Sequence, residues 1–289
     1  MNIGFIGAGK VGCSLGKYFA DGNLAVKGYY SIPVETSHEA AHFTNTCSYE
    51  TAEALIRECD VVFITVPDGI IKDTWLSIKD YDLKDKIICH CSGAMTSGDA
   101  FPGIEETGAV GYSLHPLFAV SDKYNTYKEL PDVFFTLEGA PERIEEVADM
   151  VRSLGNQVRI IDGANKTLYH CAAVVSSNLV CGIIDMSMSL MEKCGFTGDD
   201  ARVAMASLIR GNVEHVLEVG PTDGLTGPIE RNDTGTVAKH LNALGNVDAL
   251  EEREVYRLLS SRLTDMASRR HPDRDYSGMY QLLEEREEN

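Results

Sequence analysis

The sequence predicts an α/β fold: an N-terminal Rossmann-like, mostly parallel, doubly wound sheet, followed by an all-helical second domain. Three observations predict it. The opening "NIGFIGAGKVG" reads as an apolar strand, a glycine turn and the start of a helix. Apolar β-rich runs then alternate with helical runs as far as residue 162. From Gly163 onward the pattern is helical only. At 289 residues the chain has length for two domains, divided here as 1–162 and 163–289.

Each element has its own signal. "MNIGFI" is a short apolar strand, and Val11, Leu15, Tyr18 and Phe19 give the helix after it one apolar face. "LAVKGYYS" is a second strand, followed by the helices "SHEAAHF" and "YETAEALIREC". "DVVFITVP" is apolar throughout, as a strand covered on both faces must be, and "IIKDTWLSI" is the helix after it. "KIICHCSG" and "AVGYSLHP" are two more strands. "VFFTLEG", the helix "PERIEEVADMVRSLG" and "QVRIID" complete the sheet. The second half reads as helices over 164–194, 198–218, 234–244 and 249–268, separated by turns that carry Gly and Pro.

Composition bounds the function. The chain is 44% hydrophobic and 24% charged, within the range of globular proteins. A net charge of −18 argues against nucleic acid as a partner, because phosphates need a basic patch. No apolar run is read as the ~18–20 residues of a membrane span, so no membrane partner is expected. Met1 leads almost directly into "IGFIG", which leaves no room for a leader, and the expected location is cytoplasmic. The closing "LLEEREEN" reads as a solvated or frayed end. None of the eight cysteines forms a CxxC pair, so buried free thiols are expected. On a strand, Cys89 and Cys91 share one face while His90 points to the other, so "CHC" is not a metal site and no metal is expected.

The glycine turn carries the first functional signal. Gly7-Ala8-Gly9-Lys10-Val11-Gly12 is GxGxxG between a strand and a helix. Gly7 permits the tight turn, Gly9 lets the backbone approach a pyrophosphate, and Gly12 lets the helix pack against the strand. The free amides of the helix N-terminus then face the phosphates. Sheets of this kind bind ligands outside the carboxyl ends of their strands. Those ends carry Val66-Pro67-Asp68, Cys91-Ser92-Gly93 and Ser113-Leu114-His115. Pro, Gly, Ser and Asp there are also ordinary turn residues; His115 is not.

NAD binders place an acid at the end of the second strand to hold the ribose hydroxyls. Here that place holds Tyr29-Tyr30-Ser31-Ile32, with no carboxylate before Glu35. The missing acid favours NADP, since a carboxylate repels a 2′-phosphate. No Arg follows Ser31, however, so NAD stays open, and Lys10 and Lys27 are the cations at hand.

In the second half, Lys166 and His170 lie ~40° apart around a helix, with Ser177 between them and Asn178 one step further. Leu168, Ala172, Val175, Leu179 and Ile183 fill the rest of what reads as a buried helix. The stripe either faces the nicotinamide, or is an exposed first turn with His170 as a hydrogen-bonded core residue. "DGLTGPIERND" breaks the helical pattern and carries Thr226 and Arg231. It is either an anion-binding turn at a helix start or a plain connection.

The stretches "GFIGAGKVG", "TVPDGII", "HCSGAMTS", "SLHPLF", "LYHCAAVVSSN" and "LTGPIERNDTGTVAKHL" together resemble a bacterial family. Its members pair a Rossmann-like NADP-oxidoreductase domain with a C-terminal helical domain of unknown function. The resemblance covers nearly the whole chain. More distantly, the layout is similar to the 6-phosphogluconate and 3-hydroxyisobutyrate dehydrogenase superfamily. In that group a Lys followed four residues later by Asn opens the second domain, and the Lys is the acid/base. Lys166 matches it; His170 stands where the Asn would be. "HPLF" at 115–118 is similar to a His-Pro loop of prephenate dehydrogenases. Ile32 departs from the Arg that family members often carry.

The residues and the resemblance lead to one expectation: an NAD(P)-dependent oxidoreductase that moves a hydride between nicotinamide and a carbonyl, alcohol or imine carbon of a small, anionic substrate. Lys166 or His170 supplies the proton, and His115 anchors the substrate. Gly7 through Gly12, Ser31, Val66, Pro67, Cys91, Ser92 and Gly93 hold the cofactor. Ser177, Asn178, Thr226 and Arg231 hold the substrate. The helical half, too apolar to bury itself, predicts a homodimer. The rival readings are a dinucleotide-binding sensor or scaffold without turnover, and a deazaflavin-linked NADP reductase, whose chains are shorter.

Overall fold

In the computed structural model, which describes residues 1–247 and 249–284, the chain forms two compact units, Met1–Ser176 and Ser177–Asn289. The first holds strands β1 (Asn2–Ile6), β2 (Ala25–Tyr30), β3 (Cys47–Ser48), β4 (Val61–Ile64), β5 (Ile87–His90), β6 (Val110–Pro116), β7 (Phe135–Gly139) and β8 (Val158–Ile160). Its helices are α1 (Lys10–Asp21), α2 (Val34–Thr44), α3 (Ala52–Glu58), α4 (Asp68–Ile78), α5 (Ser97–Ala100), α6 (Ile144–Arg152) and α7 (Lys166–Ser176). The second unit holds α8 (Asn178–Lys193), α9 (Gly198–Val219), α10 (Thr234–Asn246), α11 (Leu250–Arg270) and α12 (Ser277–Glu284).

The strands form one sheet in the order β3-β2-β1-β4-β5-β6-β7-β8. All pairs are parallel except β6–β7, which is antiparallel. Chain order reverses between β1 and β4, so their carboxyl ends open the crevice where such sheets bind ligands. Side-chain alternation divides the core between the two faces. Ile3, Phe5, Val61, Phe63, Ile87 and Cys89 belong to one apolar cluster, packed by α1, α2 and α6. Ile6, Val62, Ile64 and Ile88 belong to the other, packed by α3 and α4. His90 meets the edge of Phe101 on this second face, opposite Cys89.

Several sequence expectations are corrected. The helix read as 164–194 is broken at Ser177 (φ −126°, ψ −72°), and α7 groups with the sheet instead of the helical half. Its Lys166 side chain is drawn into the sheet domain, which accounts for the grouping of α7 with the sheet. Second, α7 and α8 are not buried helices: Leu168 is 72% exposed, and Val175, Leu179 and Ile183 are exposed as well. Third, an apolar stretch of membrane-spanning length does exist. Gly163–Lys193 has a mean hydropathy of 1.6 over 18 residues, none of which is buried. The polar residues interspersed along it hid this from a reading by uninterrupted runs. Leu282–Glu284, read as a frayed end, close α12, with Leu283 buried; residues 285–289 of that end lie outside the described residues.

Trp75, the chain's one tryptophan, pins α4 to the second face. It is fully buried, donates its indole N–H to the Pro102 carbonyl at 3.1 Å and meets Phe101 edge-on. Trp75→Ala is expected to cost the sheet unit ~3–5 kcal/mol. Urea unfolding followed by circular dichroism measures it, and a loss below ~1 kcal/mol would show that the site collapses around the deletion.

Candidate functional site

The glycine turn forms as the sequence predicts. Gly7 has φ +101°, a backbone conformation that side chains rarely adopt, and its N–H donates to the Tyr30 carbonyl at 2.8 Å. A methyl at Gly12 would collide with the Gly7 carbonyl and Thr65 Oγ1. Thr65 Oγ1 donates to the Gly7 carbonyl at 2.7 Å and so ties the turn to the end of β4. A side chain at Gly9 would meet no described atom within 4 Å, and no side chain caps the N-terminus of α1. The turn therefore presents free amides on an open face, which is what a pyrophosphate needs. Ala8 is buried behind it, Lys10 is exposed and Val11 half-buried.

Beside the turn lies a cavity of about 500 Å³ lined by Gly7, Tyr30, Ser31, Ile32, Val66 and Ile70, among others. Its size and apolar walls suit a base and ribose. Ser31 Oγ accepts from Thr36 Oγ1 at 2.8 Å. Ile32 is 83% exposed at its rim, and Pro67 is exposed at the N-cap of α4.

A second cluster forms at the carboxyl ends of β5 and β6. Ser92 Oγ donates to Asp68 at 2.6 Å and accepts the amides of Ala94 and Met95, which shapes the turn at Gly93. A methyl on Gly93 would stand 2.8 Å from His115 Nε2 and 3.0 Å from His170 Cδ2, so both imidazoles press on this bare backbone. His115 Nδ1 is 2.7 Å from the Tyr169 hydroxyl.

Lys166 lies deeper. Its side chain is fully buried, and Nζ donates to Ser113 Oγ at 2.5 Å; Ser113 Oγ donates in turn to the Ser92 carbonyl at 3.0 Å. The sequence reading placed Lys166 and His170 together facing the ligand. The structure separates them, and topology gives the reason. Because β7 reverses and β8 follows β7, β8 runs against β6 and its carboxyl end points away from the rim. α7 must then run back along β6. Four helical residues advance ~6 Å, and two strand residues ~6.6 Å. Lys166 thus meets Ser113, and Tyr169 and His170 meet His115 and Gly93 at the rim.

Electrostatics follow from the buried ammonium. Burial lowers the Lys166 pKa, opposed by Glu138 and Cys91. Glu138 is itself buried and accepts from the amide and hydroxyl of Ser97. Burial, then the Lys166 charge and then His170 lower His115 from 6.5 to about 4. Burial, with Lys166 next and His115 weaker, takes His90 to about 3. Cys91 is pushed up to about 12 by burial, so it stays a thiol.

Ser177, Asn178, Thr226 and Arg231 all belong to the helical unit and are exposed. Ser177 Oγ lies 3.0 Å from Asn178 Oδ1 at the start of α8. The Thr226–Arg231 turn is tied down by its neighbour Glu230. That carboxylate meets His271 at 2.7 Å, and its carbonyl accepts from Arg274 and Tyr276. Asp233 caps α10 through the Thr236 amide. Sequence reasoning missed Tyr169 and Glu138. Tyr169 stood in view at three residues from Lys166, and a carboxylate inside the apolar run "VFFTLEG" was the signal for Glu138.

Residues 1–116 match the family model of a Rossmann-like domain, and residues 133–263 match that of a domain of unknown function, DUF2520. The chain thus carries a match to each of these two domain models, one after the other. Its fold is shared by protein TM1727 of Thermotoga maritima, at 22% identity over 93% of this chain and 99% of that one, with a TM-score of 0.75. A candidate NADP oxidoreductase of Bacteroides fragilis, BF3122, is 21% identical over 91% and 98% of the two chains, with a TM-score of 0.69. Pyrroline carboxylate reductase of Plasmodium falciparum, solved with NADP bound, is 19% identical over 93% and 98%, with a TM-score of 0.57. No curated protein matches this chain in sequence.

The two depressed histidines make stability depend on pH. Below about 6.5 the unfolded chain takes up protons that the folded His115 and His90 refuse until about 4 and about 3. Stability is therefore expected to be full above pH 6.5 and to fall as pH drops through that window. Melting temperatures across a pH series test this. The fall should be shallower in His115→Gln, and an unchanged slope would show that His115 is not among the responsible groups.

Proposed function

We propose that the protein is a nicotinamide-dependent oxidoreductase acting on a carbonyl, alcohol or imine carbon of a small substrate. A bound nicotinamide dinucleotide supplies or accepts the hydride. The observation that carries the reading is the sharing of one rim. The Gly7–Gly12 turn, and the cluster of His115, His170 and Gly93 above the buried Lys166, both stand at the carboxyl ends of the parallel strands. Likeness in fold to a candidate NADP oxidoreductase and to a pyrroline carboxylate reductase with NADP bound supports it.

The residues divide the work. Amides of the glycine turn and α1 hold the pyrophosphate, with Lys10 exposed beside them. Ser31, Ile32, Val66 and Pro67 line or flank the adenosine end. An acid-free end of β2 favours NADP over NAD. Ser92 and Gly93, with Cys91 behind them, form the wall toward the nicotinamide. When hydride reaches the substrate carbon, the π pair moves to oxygen or nitrogen and needs a proton there. His170, partly exposed at the rim, releases it when protonated. Lys166 supplies positive charge from below through Ser113, which stabilises the developing anion. His115 anchors the substrate. The exposed Ser177, Asn178, Thr226 and Arg231 are the helical unit's polar groups for an anionic substrate.

We also propose that the chain forms a homodimer through its helical unit. α8 and α11 line an apolar groove of about 530 Å³ with Leu179, Ile183, Met186, Val255, Leu258 and Leu259. On α9, Leu217 is 80% and Val203 67% exposed. Apolar surface of this extent calls for a protein partner, and a second copy buries the same patch on both sides.

Two experiments test these proposals. Lys166→Met and His170→Gln are each expected to cut turnover ~10²–10⁴-fold with NADPH affinity unchanged. The assay follows NADPH absorbance with a panel of 2-oxo acids, aldehydes and imines. Tight NADPH binding with no turnover across the panel would favour the sensor. For the dimer, light scattering at micromolar concentration should give twice the chain mass; a monomeric mass, or flotation with liposomes, would end that proposal.

A further inference from the structure

We infer that Tyr169 is a positioning residue that fixes the tautomer of His115: its phenol donates to Nδ1, which leaves the imidazole proton on Nε2 facing the bare α-carbon of Gly93. The inference rests on the reading of this cluster as the substrate end of a reductase and adds which nitrogen meets the ligand, and in which state.

Three observations combine. The Tyr169 hydroxyl lies 2.7 Å from Nδ1, and the two rings stand edge to face at 85° with centroids 5.7 Å apart, which limits rotation of the imidazole. His115 is uncharged near neutral pH, because burial and the Lys166 ammonium oppose a second proton. A neutral imidazole carries one N–H and one lone pair. A phenol is a strong donor and a weak acceptor, and an imidazole lone pair is a strong acceptor. The pair is therefore lowest in free energy with the phenol donating to Nδ1. Burial raises the Tyr169 pKa, opposed by a hydrogen bond with Thr136, so the phenol keeps its proton; the Thr136 hydroxyl can donate to the phenol oxygen and leave the phenol proton for Nδ1. Third, Nε2 stands 2.8 Å from the position a methyl on Gly93 would take. Any Cβ at 93 would crowd this nitrogen, so only glycine is compatible with the ring in this place; His115 is only partly buried, and a ligand oxygen or nitrogen that reaches Nε2 meets an N–H.

A neutral imidazole does not give up its last proton near pH 7. His115 therefore polarises the C=O or C=N bond by hydrogen bonding and keeps its own proton, while the proton that the heteroatom gains comes from another group. Tyr169 acts only through His115. Without its hydroxyl the imidazole divides between two tautomers, and the fraction with Nδ1–H presents a lone pair where a donor is needed.

Long-range ¹H–¹⁵N correlation spectra of the labelled, ligand-free protein test this directly, with His115 assigned among the eight histidines by His115→Gln. The expected wild-type pattern is a bare Nδ1 and a protonated Nε2. In Tyr169→Phe, which keeps the ring, the two nitrogen shifts should converge toward a tautomer average while the other histidines stay in place. With a substrate in hand, the same variant should lose at least ~10-fold in kcat, part of the ~10²–10⁴-fold a placed proton-bearing group supplies, with KM for NADPH unchanged. A wild-type Nδ1–H pattern, or shifts unmoved in Tyr169→Phe, would overturn the inference. Should the Phe variant fail to fold, 3-fluorotyrosine placed at 169 sharpens the donor and should move the Nδ1 resonance; an unmoved resonance overturns it equally. The spectra need neither cofactor nor turnover, so a protein with no reductase activity would sink the proposed reaction and leave the tautomer result to stand or fall alone.

Discussion

The hydrogen bond from Lys166 to Ser113 holds an amine inside the sheet domain, and much of the surrounding structure answers to it. An ammonium out of water is stable only with partners. Here the partners are a serine hydroxyl, the negative charge of Glu138 nearby and a neighbouring thiol. Neighbouring imidazoles cannot add to the charge, so His90 and His115 are held neutral. Burial first, and the Lys166 charge second, thereby hold both imidazoles neutral.

The same bond fixes the placement of α7. The helix is anchored by Lys166 at its start and by the Tyr169–His115 hydrogen bond one turn on, while Leu168 and Val175 along it face outward. The match between four helical residues and two strand residues carries the anchor's effect to the rim. Register alone brings Tyr169 beside His115 and His170 beside Gly93. The side chains gathered at the rim and the packing beneath it are therefore not separable in this domain.

The sheet was legible in the sequence because its signals are local. Apolar runs, the GxGxxG turn and the alternation at Cys89, His90 and Cys91 each declare themselves within a few residues. The site was legible in its members and not in its depth. His115 and His170 meet at Gly93, but helical spacing says only that Lys166 and His170 share a face. It does not say that β8 runs against β6, and that reversal decides which of the two reaches the rim. The break at Ser177 was likewise invisible, since serine and asparagine are tolerated in helix interiors and the apolar pattern continues past them. Burial of α7 and α8 was inferred from apolar content, which measures the need for a cover and not its source.

The sheet ends at each side in a very short strand, β3 of two residues and β8 of three, with Arg159 exposed on the latter. Such blunt margins offer almost no run of unpaired backbone amides and carbonyls on which a foreign strand could align. Extension of the sheet from one molecule into the next is thereby discouraged. The proposed homodimer would then rest on side-chain packing between helices, where shape selects the partner and a two-fold assembly closes on itself instead of growing without limit.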